Sequence, residues 1–443
     1  MDFLTKSKTA SLLYQAVGQS YQRHFNRQES VEVALSGGVD SQVLLDVLWH
    51  LQKEYRFKLS AVHVHHGLQS QAHDWVTFCK KQCALRAISL RVEWVEPRLD
   101  SGKGVEAAAR EARYQALGKT AVPVVALAHH QDDQLETLLL GLLRGGGLKS
   151  LVGMEEVRLF GSEKNLWRPF LYFPKSLLQR YAEEQALSYV EDPSNDEKRY
   201  TRNWVRQSLL PFIEKEIPDV RPRLLSQMED FKRSNRFIKR ICAKELLRAR
   251  CGIGLSLSYL IGLEPEKRQE VLAAFIAHQG LGIARKAAIY AFSQYLATKP
   301  SFYEWSLPGG KLYVAKGKLW PWAKANPWVK KIMEGDYIWQ DFFTLEQENK
   351  FFLRKEDFII RKVQSDDKIL TAQGTKVAGA LLKKRGLPRF IRPHWPIIVD
   401  SRDKAVILPG VQGDRRFFSV GEKPPLPAFL RDYLPDPDQE KKL

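Results

Sequence analysis

Short apolar runs alternate with stretches of helical periodicity along the first part of this 443-residue chain. Val31-Glu32-Val33-Ala34-Leu35, Leu59 to Val64, Ile88 to Val95 and Val124 to Ala128 read as strands; the segments from near Gln42, from Ala72 to Leu85 and from Gly104 to Lys119 read as helices. Strands separated by helices of this length predict βαβ crossovers and a twisted parallel sheet buried on both faces, an α/β N-terminal domain. Ligands of such sheets bind beyond the carboxyl ends of the strands. Polar clusters sit at those ends: Ser36 to Ser41 after the first run, His63 to Gly67 after the second and His129 to Glu136 after the last. These segments are expected to converge on one crevice.

From Pro174 the pattern becomes helical, and Pro211, Pro218 and Pro222 mark a boundary before a charged, helix-rich middle region. Between 300 and 345 the chain is crowded with Trp305, Trp320, Trp322, Trp328 and Trp339 among glycines and prolines, which suits an ordinary core with β-turns better than an aromatic platform for nucleic acid. Phe358 to Phe418 carries short β-like runs, such as Pro396 to Val399 and Ala405 to Leu408, and reads as a small α+β module. The expected organisation is a catalytic domain over 1–215, a helix-rich domain over 220–345 and a basic α+β domain over 355–443.

Charge narrows the function. With 69 Lys and Arg against 51 Asp and Glu, the chain carries a formal +18, which points to a polyanionic partner such as nucleic acid. No leader-like segment and no apolar run long enough for a membrane span is visible, so a soluble, cytoplasmic protein is expected. Four cysteines in this length form no disulfide framework; Cys79 and Cys83, one helical turn apart, read as reduced thiols. From 371 to 399 there are six basic residues, Lys376, Lys383, Lys384, Arg385, Arg389 and Arg392, and no acidic one. Such a one-signed patch suits contact with RNA phosphates.

Ser36-Gly37-Gly38-Val39-Asp40-Ser41 lies between a strand and a helix. Two glycines allow a tight turn, and the N–H groups they free add to the positive end of the following helix, so an anion is the natural occupant. The loop is too short for a GxxxxGK[ST] loop and contains no Lys or Arg to grip a transferred γ-phosphate. At His130-Gln131-Asp132-Asp133-Gln134-Leu135-Glu136 three carboxylates open a helix. Asp133 and Glu136 share a face and are the candidate magnesium ligands and proton acceptors; Asp132 projects differently and is expected to cap the helix. Glu106, Arg110 and Arg113 line one side of another helix, where Arg113 could fork two hydrogen bonds to a phosphate or a base edge. The histidines have no zinc spacing; His65, His66 and His130, with His63, read as nucleotide contacts. Trp167-Arg168-Pro169 and Glu191-Asp192-Pro193-Ser194-Asn195, followed by Arg202 and Arg206, form a third constellation. Its arginines could neutralise phosphates or pair with Glu191 and Asp192.

In order and spacing, Ser36 to Ser41, His63 to Leu68, Gly104 to Tyr114, His130 to Thr137, Arg168-Pro169 and Glu191 to Arg206 resemble the tRNA(Ile)-lysidine synthetase family, one of the SGGxDS-loop ATP pyrophosphatases. The resemblance is strong over the first 215 residues or so and rests on layout beyond them. It implies that ATP adenylates the 2-carbonyl oxygen of the wobble cytidine in a CAU anticodon and that free lysine then attacks that carbon. ATP and Mg2+, a CAU-anticodon tRNA(Ile) and L-lysine are the implied cofactors and partners, with a homodimer left open. On this reading Asp133, Glu136 and Arg113 are catalytic; Ser36, Gly37, Gly38, Val39, Asp40, Ser41, His63, His66 and His130 bind ATP; Arg110, Arg113, Arg202, Arg206 and the C-terminal basic residues hold tRNA. A tRNA 2-thiocytidine synthetase is the nearest rival, but Cys79 and Cys83 lack CxxC spacing. Other ligases with this loop, and a non-catalytic RNA-binding protein, are the remaining alternatives.

Overall fold

The computed structural model describes residues 7–25, 30–65, 67, 72–96, 105–161, 164–191, 201–324, 342, 357–419, 422, 424–431 and 433–434. Contacts divide the chain into two compact units, Met1–Asn235 and Arg236–Leu443.

The first unit follows the order α1 (Lys8–His24), β1 (Val31–Ala34), α2 (Val39–Tyr55), β2 (Leu59–His65), α3 (Ala72–Leu85), β3 (Ser89–Trp94), α4 (Val105–Gly118), β4 (Val124–Ala126) and α5 (Gln131–Leu143). A short α6 (Leu148–Leu151), the hairpin β5 (Val157–Phe160) and β6 (Lys164–Trp167), α7 (Lys175–Glu184), α8 (Thr201–Trp204) and α9 (Leu210–Glu216) follow. The sheet order is β3-β2-β1-β4-β6-β5, parallel except for β5 at the edge. Chain order reverses between β1 and β4, which makes the space beyond their carboxyl ends the topological switch point where ligands of open α/β sheets bind.

The strands read as they do because both faces are covered. Val31, Val33 and Leu35 of the first run are at most 1% exposed, and they pack with Leu44, Leu48, Trp167, Phe170 and Tyr181. Glu32, polar within that run, is buried and tolerated because Arg91 of β3 donates to it (Nη2 to Oε2, 2.9 Å). Cys79 and Cys83 are buried on α3, where loss of hydration pushes their thiols up to about 12 and about 11.

α10 (Val220–Ala249) leads to the second unit. There α11 (Leu257–Ile261), α12 (Pro265–His278) and α13 (Lys286–Ala297) accompany a five-stranded sheet ordered β7 (Arg250–Cys251), β8 (Gly254–Ser256), β11 (Lys318–Ala323), β10 (Gly310–Ala315), β9 (Phe302–Leu307). The Trp-rich stretch supplies three of these strands, antiparallel and joined by tight turns. Trp320 and Trp322 are core residues, 2% and 8% exposed, with Phe390 edge-on to both and stacked on Tyr313. Trp328 and Trp339 lie outside the described residues.

The C-terminal module is α+β: β12 (Phe358–Lys362), β15 (Pro396–Asp400), β16 (Ala405–Leu408) and β17 (Gln412–Gly413) form one sheet, and β13 (Lys368–Thr371) and β14 (Gly374–Val377) a hairpin followed by α14 (Ala378–Lys384). Among the described residues no helix is long and apolar enough to cross a membrane.

Candidate active site at the switch point

The loop after β1 folds as its sequence requires. Gly37 has φ +96°, a backbone region that L side chains rarely adopt, and a Cβ there would stand 2.8 Å from Val190 Cγ2. Val190 is held in place by donating its N–H to the Gly37 carbonyl (3.0 Å). Ser41 ties the turn: its Oγ donates to the Gly38 carbonyl (2.9 Å) and accepts from the Gly37 N–H (3.1 Å), while Ser36 Oγ donates to it (3.1 Å). Gly38 caps α2 without a side-chain bond, which leaves the helix N-terminus open to an anion.

His63 lies under this loop. It is 4% exposed, its Nδ1 is 2.8 Å from the Leu35 carbonyl, and burial lowers its pKa. Through that bond it supports the strand that leads into the loop. His65 is buried beside the exposed Trp94, ring centroids 4.1 Å apart. His66 lies outside the described residues.

The second wall is the start of α5. His130 is the N-cap, and Asp133 at the third helical position reaches back to accept its N–H (3.0 Å). The expectation that Asp132 caps the helix is therefore corrected: a carboxylate at the third position can bend back to the N-cap, whereas the second position points outward. Asp132 instead accepts the Lys175 N–H (2.9 Å) and pairs with Arg221, which also pairs with Glu214. His130 joins the two walls, because its Nε2 is 3.6 Å from Asp40 Oδ2 and 3.5 Å from Asp133 Oδ2. Burial works against its charge, but Asp40, Asp133 and Asp132 outweigh burial and raise its pKa.

Asp133 and Glu136 do share a face, and arginines meet them there. Arg202 donates to Asp133 Oδ1 (2.8 Å) and Glu136 Oε2 (2.6 Å); Arg206 donates to Glu136 Oε1 (2.5 Å) and Oε2 (3.2 Å). The two arginines are four apart, and a π-helical turn over Val205–Leu209 joins α8 to α9 at this point. Sequence left open a pairing with Glu191 and Asp192. The structure gives Arg202 and Arg206 the α5 carboxylates, and Asp192 lies outside the described residues. Burial opposes the charge on Asp133, yet His130, Arg202 and the His130 backbone N–H hold its carboxyl down at about 2. Glu136 is fully buried.

Arg113 faces the same cluster from α4; burial, Arg110 and Arg202 act against its charge and Asp133 favours it. The side chain of Glu106 lies outside the described residues. Arg168, just past β6, is 2% exposed and donates to His129 Nδ1 (3.2 Å). Sequence reading lacked β6; the short apolar Leu166-Trp167 before Arg168 is the signal that places it at the same sheet edge. The C-terminal basic residues belong to the other unit: Lys376, Lys383, Lys384 and Arg389 are exposed, Arg385 and Arg392 half-buried.

Buried Asp40 Oδ1 has no hydrogen-bond partner among the described residues. A cation or a donor suits it, and Asp40 and Asp133 converge on one nitrogen, so these two could hold a divalent ion. Both oxygens of Glu136 are taken by guanidinium groups, and this favours Asp40 over Glu136 as the partner of Asp133. Among the described residues no cluster of three His, Cys, Asp or Glu is arranged for a metal. Two carboxylates with substrate phosphates are the arrangement magnesium usually takes.

Residues 9–213 match the PP-loop domain family. Over 390 residues the chain is 31% identical to the tRNA(Ile)-lysidine synthase of Neisseria gonorrhoeae, an alignment that covers 85% of this chain and 86% of that protein. It is 31% identical over 412 residues to the same enzyme of Neisseria meningitidis serogroup B, covering 90% and 96%. The enzyme of Alkalilimnicola ehrlichii is 40% identical over 251 residues, 56% of each chain.

Proposed function

The chain belongs to the tRNA(Ile)-lysidine synthase family, and on that premise we propose that it is an ATP-dependent ligase that joins L-lysine to the wobble cytidine of a CAU-anticodon tRNA(Ile). The observation that carries this reading is the meeting, at one switch point, of an anion-binding loop and the Asp40–His130–Asp133 bridge.

ATP places its phosphates on the Ser36–Ser41 loop and the N-terminus of α2. The cytidine 2-oxygen attacks the α-phosphorus and pyrophosphate leaves; the lysine ε-amine then attacks C2, AMP leaves, and the ammonium proton passes to a base. Asp40 and Asp133 would hold magnesium, which neutralises phosphate charge when bound. His130 lies beside Asp40 at the phosphate loop, where its Nε2–H can donate to the departing pyrophosphate. Arg113 does the same at the α-phosphate.

Lysine at its ordinary pKa near 10.4 enters as an ammonium, and Asp133 is suited to hold it as an ion pair. The ammonium must lose a proton to a base before attack, and Asp133, held at about 2, serves as its ion-pair partner rather than as that base. The test is incorporation of labelled lysine into tRNA bearing a CAU anticodon, with elongator methionine tRNA as control. Label on the isoleucine tRNA alone is expected. Absence of label while tRNA-dependent pyrophosphate release persists would replace lysine by another nucleophile.

A further inference from the structure

Two clusters adjoin one extended segment. His129 and His130 follow β4 at adjacent positions, His130 with an extended backbone (φ −124°, ψ −177°). His130 faces Asp40 and the phosphate loop. His129 faces Arg168.

Arg168 is buried and donates to two neutral acceptors, His129 Nδ1 (3.2 Å) and the Glu155 carbonyl (2.9 Å), while Tyr114 favours its charge. Arg110 lies over the Tyr114 ring, Cζ 5.1 Å from its centroid, with Nη2 3.3 Å from the hydroxyl. Arg158 covers the ring too, at 5.9 Å. Burial alone would raise the Tyr114 phenol, but Arg110, Arg168 and Arg113 pull it below its ordinary value. Burial takes His129 down to about 3, so it adds no positive charge and stays an acceptor for Arg168.

Guanidinium groups gathered round one phenol repel each other, and the buried one, Arg168, is poorly hydrated; an anion of matching geometry relieves both costs. Three planar forks suit phosphate oxygens. The nucleotide's own phosphates are already served by the loop that His130 faces. We propose that Arg110, Arg158 and Arg168, arranged round Tyr114, bind a phosphodiester of the RNA strand beside the nucleotide that enters the crevice. This rests on the reading that tRNA is the second substrate.

The experiment measures the dissociation constant of CAU-anticodon tRNA by filter binding over a range of salt, together with the KM for ATP. R110A and R158A, both at exposed positions, are each expected to weaken tRNA binding roughly three- to tenfold and to lower the salt slope by about one unit. R168Q, checked for folding by circular dichroism, is expected to lose at least as much. A tRNA carrying a neutral methylphosphonate at the bound phosphate should bind the wild-type protein as weakly as ordinary tRNA binds R158A, and R158A should add no further loss. Unchanged tRNA affinity and slope in R110A and R158A would overturn the proposal, as would a raised ATP KM with intact tRNA binding, which assigns the site to the nucleotide. If these shifts occur but the wild-type protein incorporates no lysine, the phosphate site stands and the reaction falls.

Discussion

Glu136 is where the structure changes the sequence-based expectation most. As a catalytic carboxylate it is expected to tolerate Glu136→Gln with loss of turnover and an intact fold. In the structure it is fully buried and accepts three hydrogen bonds from Arg202 and Arg206. Bonds to charged groups contribute about 1.5–3 kcal/mol each, but Gln can still accept one, and the arginine side chains, 22% and 32% exposed, recover some hydration. A net loss of about 2–4 kcal/mol follows, at the lower side of what breaking a buried ion pair costs. For a folded unit of this size each kcal/mol moves the melting midpoint about 2–4 °C, so the expected drop is roughly 5–15 °C. Differential scanning calorimetry of the full chain is the assay, with the transition of the first unit identified by its upward shift when an ATP analogue is added. Melting within about 1 °C of wild type, with turnover lost, would refute the anchoring role and return Glu136 to chemistry alone.

Gly37→Ala is expected to weaken ATP binding at least about tenfold, since a positive φ costs a side chain about 1–2 kcal/mol before the contact with Val190 is counted; unaltered binding by titration calorimetry would show that the loop can rearrange. His129, whose pKa burial drives down to about 3, binds fewer protons folded than unfolded, so it contributes stability above the unfolded value near 6.5 that is lost as pH falls from about 6.5 toward 3. His129→Gln should flatten the dependence of melting midpoint on pH across that window, by up to about 1.4 kcal/mol per pH unit, and parallel curves for the two proteins would contradict it. Cys79 and Cys83, with thiols at about 12 and about 11, should resist alkylation by iodoacetamide at pH 8 until the protein is unfolded, as read by mass spectrometry.

The alternation of apolar runs and helical stretches determined the parallel sheet, because strands buried on both faces admit few other residues and crossovers need helices of that length. It also determined the anion loop, since only glycine fits at Gly37, and the convergence of the loop with His129 to Glu136 at the strand ends. The antiparallel sheet within the Trp-rich stretch was less legible: Trp320 and Trp322 pack on Phe390, distant in sequence, and no local period announces such a contact.

Partner choice among charges was decided by tertiary structure alone. Sequence shows that Asp133 and Glu136 share a helical face, but Arg202 and Arg206 reach them from far along the chain, and Asp132 loses the capping role to Asp133 because it meets Lys175 and Arg221. Arg168, His129 and Tyr114 come from three separate elements and meet only when β6 and α4 pack against the end of β4. Local pattern follows from the one or two faces an element must bury and is written in its own residues. The pairing of long charged side chains depends on where distant elements place them, and that information exists only once the chain has folded.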